Sequence, residues 1–226
     1  MKNKIAQVFA KQIAPLFRKN PDKFFKGITG VIHVGANTGQ EIQLYAEHNL
    51  NVIWIEPIDD VFETLKSNLK NFPRQIAVRG LVTDINNKEY EFNIASNNGA
   101  SSSILDFNLH KDIWPEVTYE KTIKIFSKTL PTLLQDHNID LSNYDMLVMD
   151  TQGSELLVLK GALPILSNFK FIKTEAPDFE SYKGCCQLKD LESFFSVNGY
   201  QECFRNKFAT HPNGGSYYDI IYKRIK

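Results

Sequence analysis

The feature that most constrains this chain is the order of its apolar segments. An apolar run over residues 28–34 is followed by a helical stretch over 40–49, a second apolar run over 52–55, and a helix with Val61, Phe62, Leu65 and Leu69 on one face. Such β-α-β-α order demands right-handed crossovers and therefore a parallel sheet. A third strand over 76–82 leads through Asp84 and a hairpin at Asn86 and Asn87 into a strand over 90–94. The rhythm then breaks. Residues 96–117 are too long for a tight connection and rich in Ser, Asn and Gly, the character of a binding loop, and they are the expected acceptor contact.

Further on, Tyr119 to Phe126 reads as a strand and 131–137 as a helix. A buried-type strand over 146–149 ends on Asp150, a helix spans 153–166, and a strand over 169–174 ends on Glu175. Leu188, Leu191, Phe194 and Phe195 mark another helix, closed by Asn198 and Gly199. Residues 200–208 and 217–225 have no helix between them and read as a closing antiparallel hairpin. Ile5, Val8, Phe9, Ile13, Leu16 and Phe17 form an amphipathic opening helix ended by Asn20 and Pro21, so that 1–26 is a helical extension.

No linker or repeat divides the 226 residues, which fit one domain over 1–226. No segment approaches the ~20 apolar residues of a membrane helix. Lys11 and Gln12 interrupt the N-terminal apolar stretch before a signal-peptide core can form, so a soluble, cytoplasmic protein is expected. Twenty-six Lys and Arg balance 26 Asp and Glu, which argues against a nucleic-acid partner and for a compact, near-neutral acceptor. Three cysteines, two of them adjacent, suit neither a disulfide framework nor a zinc site.

In an open parallel sheet the ligand sits beyond the carboxyl ends of the strands, where strand order reverses. After the first two strands come Gly35-Ala36-Asn37-Thr38-Gly39 and Glu56-Pro57. The two glycines allow a sharp turn and close backbone approach to a ligand, and Glu56 offers two oxygens to a ribose diol. The alternative is a structural turn beside a solvated glutamate. Among nucleotides, NAD would need a glycine where Asn37 stands, so its pyrophosphate cradle is incomplete. S-adenosylmethionine carries a ribose and no phosphate. An NAD-binding oxidoreductase and a non-catalytic nucleotide-binding module remain the competing classes.

VIHVGANTGQE, WIEP, Val82-Thr83-Asp84 and MDTQGSELLVLKGA, in this order, resemble the FkbM family of methyltransferases over roughly residues 28 to 225. Asp150 through Ala162 resembles the family's D-x-x-G-x-E-x-x-x-L-x-G-A block, and Tyr218 to Lys223 its last strand. The resemblance implies a Rossmann-like class I methyltransferase fold, α/β, with a seven-stranded mostly parallel sheet, an antiparallel last strand and helices on both faces. It also implies S-adenosylmethionine as donor and O-methylation of a sugar, glycan or hydroxylated natural product. By position, Gly35, Ala36, Asn37 and Gly39 would lie against the methionine portion, Glu56 would hold the ribose, and Thr83 and Asp84 would approach the adenine. There are two departures: His33 stands at this donor-side position where many members have Asp, and Pro131 replaces the Asp of a T-L-D signature.

Methyl transfer to oxygen needs in-line placement of the reactants, worth ~7–11 kcal/mol, and removal of the hydroxyl proton, worth ~100- to 10,000-fold. Asp150 is the expected base, its structural alternative being an N-cap for the helix near Gly153. His110 is the rival base. Asp150, Glu155 and Glu175 could instead hold a divalent ion, although a metal-free reaction is favoured. Glu155, Glu175 and the run Ser101, Ser102 and Ser103 are candidate acceptor contacts, the run being otherwise a flexible loop. His48, His137, His211, Trp54 and Trp114 are assigned to packing or surface.

Overall fold

The structure, a computed structural model, describes residues 24–225. The opening helix expected over 5–17 lies outside the described residues. β1 (Gly30–Val34), α1 (Ile42–Glu47), β2 (Asn51–Glu56), α2 (Asp59–Asn68) and β3 (Gln75–Arg79) follow the expected alternation. After β4 (Leu81–Val82), β5 (Glu89–Ala95), α3 (His110–Ile113), β6 (Tyr119–Lys128) and α4 (Leu130–Asp136), the alternation resumes. β7 (Met146–Met149), α5 (Glu155–Gly161), β8 (Phe171–Pro177), α6 (Leu188–Val197), β9 (Tyr200–Thr210) and β10 (Ser216–Arg224) complete the chain.

Seven strands form one sheet in the order β3-β2-β1-β7-β8-β10-β9. Every pairing is parallel except the two made by β10. Alternation along each strand sends its side chains to two separate layers. Ile32, Val34, Ile53, Ile55, Leu147 and Met149 pack against α4, α5 and α6 through Leu133, Leu159 and Phe195. Val31, Trp54, Met146 and Val148 pack on the other side against Tyr45 of α1 and Leu65 of α2. The expected α/β sheet with helices on both faces is therefore present. Its order reverses between β1 and β7, which puts the crevice above Val34 and Met149.

Three local readings are corrected. The expected third strand breaks at Gly80: β3 stays in the main sheet, whereas β4 pairs in parallel with β6. The expected hairpin through Asn86 and Asn87 is absent as a pairing, because β6 inserts between β4 and β5 to give a three-stranded sheet in the order β4-β6-β5. The Asn87 N–H instead donates to the Ser127 carbonyl of β6. The helix expected over 153–166 divides into α5 and a 3-10 turn, Leu163–Asn168, at whose start stands Pro164, which has no N–H to continue α-helical bonding. Gly161 ends α5 against the Thr83 carbonyl, where a Cβ would lie 2.2 Å from that oxygen.

Candidate active site

The first wall of the crevice is the β1–α1 turn. The Gly35 and Ala36 N–H groups both donate to the Ile55 carbonyl at 3.0 Å. Gly35 has φ +80°, and a Cβ there would lie 1.9 Å from the Asp150 carbonyl oxygen, so the two ligand-facing turns meet backbone to backbone. Gly39, also at φ +80°, packs on Ile42 and Leu65, and Ala36 is buried in the core beneath. Of the expected loop residues, Gly35 and Asn37 line the cleft and Ala36 and Gly39 support it.

Glu56 ends β2 with both oxygens engaged: Oε2 accepts the Asn37 N–H at 2.8 Å and Oε1 the Ile58 N–H at 2.9 Å. Each carboxylate oxygen has further acceptor capacity, which leaves room for a diol. Burial pushes the Glu56 carboxyl up to about 7, against the lowering effect of those two N–H groups. Asp84 is exposed, and Gly80, Leu81 and Val82 form the cleft wall at that edge. The Thr83 side chain is buried and donates to the Ile85 carbonyl.

Asp150 follows β7 and Glu175 stands in β8 beside it, both lining the cleft. Burial raises both carboxyls, Asp150 to about 6, and the proximity of Asp150 raises Glu175 further. The Gln152 amide donates to Asp150 Oδ1, and Gln152 Oε1 accepts the Tyr182 hydroxyl at 2.7 Å. Asp150 does not cap α5. The N-cap is Ser154, and the turn is held by Glu155, whose Oε1 accepts from Thr151 N–H at 2.9 Å and whose Oε2 accepts from Gly153 N–H at 3.0 Å. Among the described residues, no group of three or more His, Cys, Asp or Glu is placed to hold a metal ion.

The loop over 96–117 closes one side, with Gly99, Ala100, Ser102, His110 and Trp114 on the cleft. The serine run is buried and bonded inward. Ser101 Oγ accepts from the Asn97 amide, Ser102 Oγ from the Ala95 N–H, and Ser103 Oγ donates to the Gln152 carbonyl. His110 is buried, and burial holds its imidazole neutral by lowering it to about 3.

Trp114, assigned from the sequence to packing or surface, lines the cleft with its ring centroid 5.4 Å from that of Tyr217, and Phe208 lies 5.7 Å beyond. The closing hairpin thus brings Phe208 and Tyr217 to the site, and no local motif marked them. Glu41 was also missed, although it directly follows the glycine turn. Buried side-chain atoms of cleft residues without a partner include Glu41 Oε1, His110 Nδ1 and Thr151 Oγ1.

These residues fit S-adenosylmethionine: a diol acceptor at Glu56, close backbone at Gly35, and an acid-rich crevice for a cationic donor. Among the described residues no helix is long and apolar enough to cross a membrane. No curated protein sequence matches the chain significantly. Among solved structures it is similar to Streptococcus pneumoniae Sp1610, described as a tRNA methyltransferase, in complex with S-adenosyl-L-methionine: 10% identity, TM-score 0.50, covering 90% of this chain and 72% of that one. It is also similar to the METTL16 MTase domain, at 10% identity and TM-score 0.53, covering 93% and 68%. In another Sp1610 structure the chain spans 65% of the solved chain. At such identity the likeness is one of fold. The profile of the methyltransferase FkbM domain matches residues 33–202, well over half of the sequence. The chain therefore belongs to the FkbM family of methyltransferases.

Proposed function

We propose that this protein methylates a hydroxyl oxygen, with a sugar or glycan as the acceptor class. The observation that carries the reading is the make-up of a single cleft, which joins Glu56 and Asp150 to an aromatic wall of Trp114, Phe208 and Tyr217. A sugar ring presents apolar C–H faces to aromatic rings and hydroxyls to fixed polar groups, the mixture such a site recognises. Bound there, S-adenosylmethionine supplies a methyl group activated by its sulfonium.

Asp150 accepts the hydroxyl proton as the new bond to oxygen forms. A carboxyl raised to about 6 is a stronger base than an ordinary aspartate and is still largely ionised at neutral pH. Gln152, anchored by Tyr182, occupies Oδ1 and leaves Oδ2 for the proton. His110, lowered to about 3, is a weak base, and its unpartnered Nδ1 suits it to accept a hydrogen bond that orients the acceptor. Glu175 adds a second polar contact for the acceptor beside Asp150, whereas Glu155 and the serine run act through the turns they hold. Asp84 and Thr83 belong in this reading to the adenine end of the cleft.

The test is transfer of labelled methyl from S-adenosylmethionine to separate pools of glycans, hydroxylated natural products and RNA. Label in the saccharide pool as an alkali-stable ether is expected. Transfer confined to RNA would overturn the acceptor class, and stabilisation by NAD without stabilisation by S-adenosylmethionine would overturn the donor.

A further inference from the structure

The amino-acid end of the donor carries an ammonium group, and the position at the end of β1 that resembles an acid-bearing site holds His33. The His33 ring stacks on Trp54 at 4.8 Å and 25°, with Nδ1 3.3 Å from the Tyr45 hydroxyl. Burial first, and Lys173 second, keep the imidazole neutral, down to about 3. It has thus become part of the aromatic layer under the crevice and offers no negative charge.

Eight positions later, Glu41 places a carboxylate in the same cleft. Its residue is 2% exposed, and Oε1 has no hydrogen-bond partner although it belongs to a cleft-lining side chain. A buried carboxylate oxygen without a partner is costly in the ligand-free protein, because its desolvation is not offset by a hydrogen bond. The buried cation Lys173 is paired with Asp219 at 2.9 Å, both side chains being 1% exposed. Glu41 shares the cleft with His33 and Gly35 at the β1 end and with Asp150. We propose that Glu41 receives the donor's α-ammonium, taking over in this chain the charge that His33 does not supply.

The inference rests on S-adenosylmethionine being the donor. Its test is a calorimetric cycle on the whole protein, using wild type and Glu41→Gln. The three probes are S-adenosylhomocysteine, its analogue lacking the α-amino group, and 5′-methylthioadenosine, which lacks the amino-acid portion altogether. Wild type should bind S-adenosylhomocysteine ~10- to 150-fold more tightly than the deaminated analogue, the range for a hydrogen bond to a charged group. Glu41→Gln should lose that preference and keep its affinity for 5′-methylthioadenosine.

Equal loss for all three probes would make Glu41 a shaper of the cleft and overturn the proposal. So would a preference for the amino group that survives the substitution. If Glu41→Gln fails to fold, the wild-type comparison still decides, because no preference for the amino group there would refute the assignment. Wild type binding none of the three would instead overturn the donor assignment itself.

Discussion

Gly35 and Asp150 face each other with no side chain between them. The carbonyl oxygen of Asp150 occupies the space a Gly35 Cβ would need, at 1.9 Å, and Gly35 holds φ +80°. This contact sets the distance between the turn assigned to the donor and the turn that carries the proposed base. Gly35→Ala should therefore cost at least ~1–3 kcal/mol in backbone strain, a fall of several degrees in melting temperature, and abolish detectable donor binding. Thermal melts with and without S-adenosylhomocysteine measure both. A variant with wild-type melting and affinity would show that the two turns separate freely.

Glu56→Ala removes both acceptor oxygens from the ribose position and frees the Asn37 and Ile58 N–H groups. Donor affinity should fall by ~1.5–3 kcal/mol, or roughly 10- to 150-fold, by calorimetry. Unchanged affinity in a folded variant would reject the ribose role.

Asp150→Asn should leave the fold and donor binding largely intact, because Ser154 and Glu155 rather than Asp150 organise the start of α5. Methyl transfer measured in a single turnover should drop at least ~100-fold, the lower end of general-base contributions. A near-normal rate would move the role to His110, and His110→Gln should then produce the loss.

Glu41 gives a pH signature in the donor-free protein. Its carboxyl is raised from 4.5 to about 7, chiefly by burial, so the folded state holds the proton more tightly than the unfolded chain does. The resulting stability is fully present below about pH 4.5 and is lost as pH rises through about 7. Glu41→Gln should melt higher than wild type at pH 8, with the difference shrinking towards pH 5. A difference that did not change with pH would show that Glu41 is not a buried acid of this kind.

Methyl transfer should survive EDTA. Glu155 directs its oxygens to Thr151 and Gly153 N–H groups and to the Cys186 thiol, so it is not free to join Asp150 and Glu175 as a metal ligand. Loss of activity with rescue by magnesium would reassign those two carboxylates to metal ligation.

Local patterning determined most of the main sheet. The run over 146–149 is a strand with those same limits, and the alternation around Gly35 and Glu56 placed both at strand ends, because a buried parallel strand needs a short apolar run and its crossover needs a helix. The motifs that resemble the FkbM family were legible for the same reason: they are contiguous turns. What the sequence alone left open depended on partners far along the chain. The strand β6 slips between β4 and β5, and no residue near Asn86 or Asn87 records that 40 positions later an alternating strand will take both edges. Trp114, Phe208 and Tyr217 meet at the cleft only because the loop over 96–117 and the closing hairpin fold against the same strand ends. Glu41 lies beside the most recognisable motif in the chain, yet its significance came from burial and an unpartnered oxygen. Those properties arise when Ile42 and Tyr45 pack with Val31 and Val148 and Glu41 is buried beside them, and only the tertiary structure decides that.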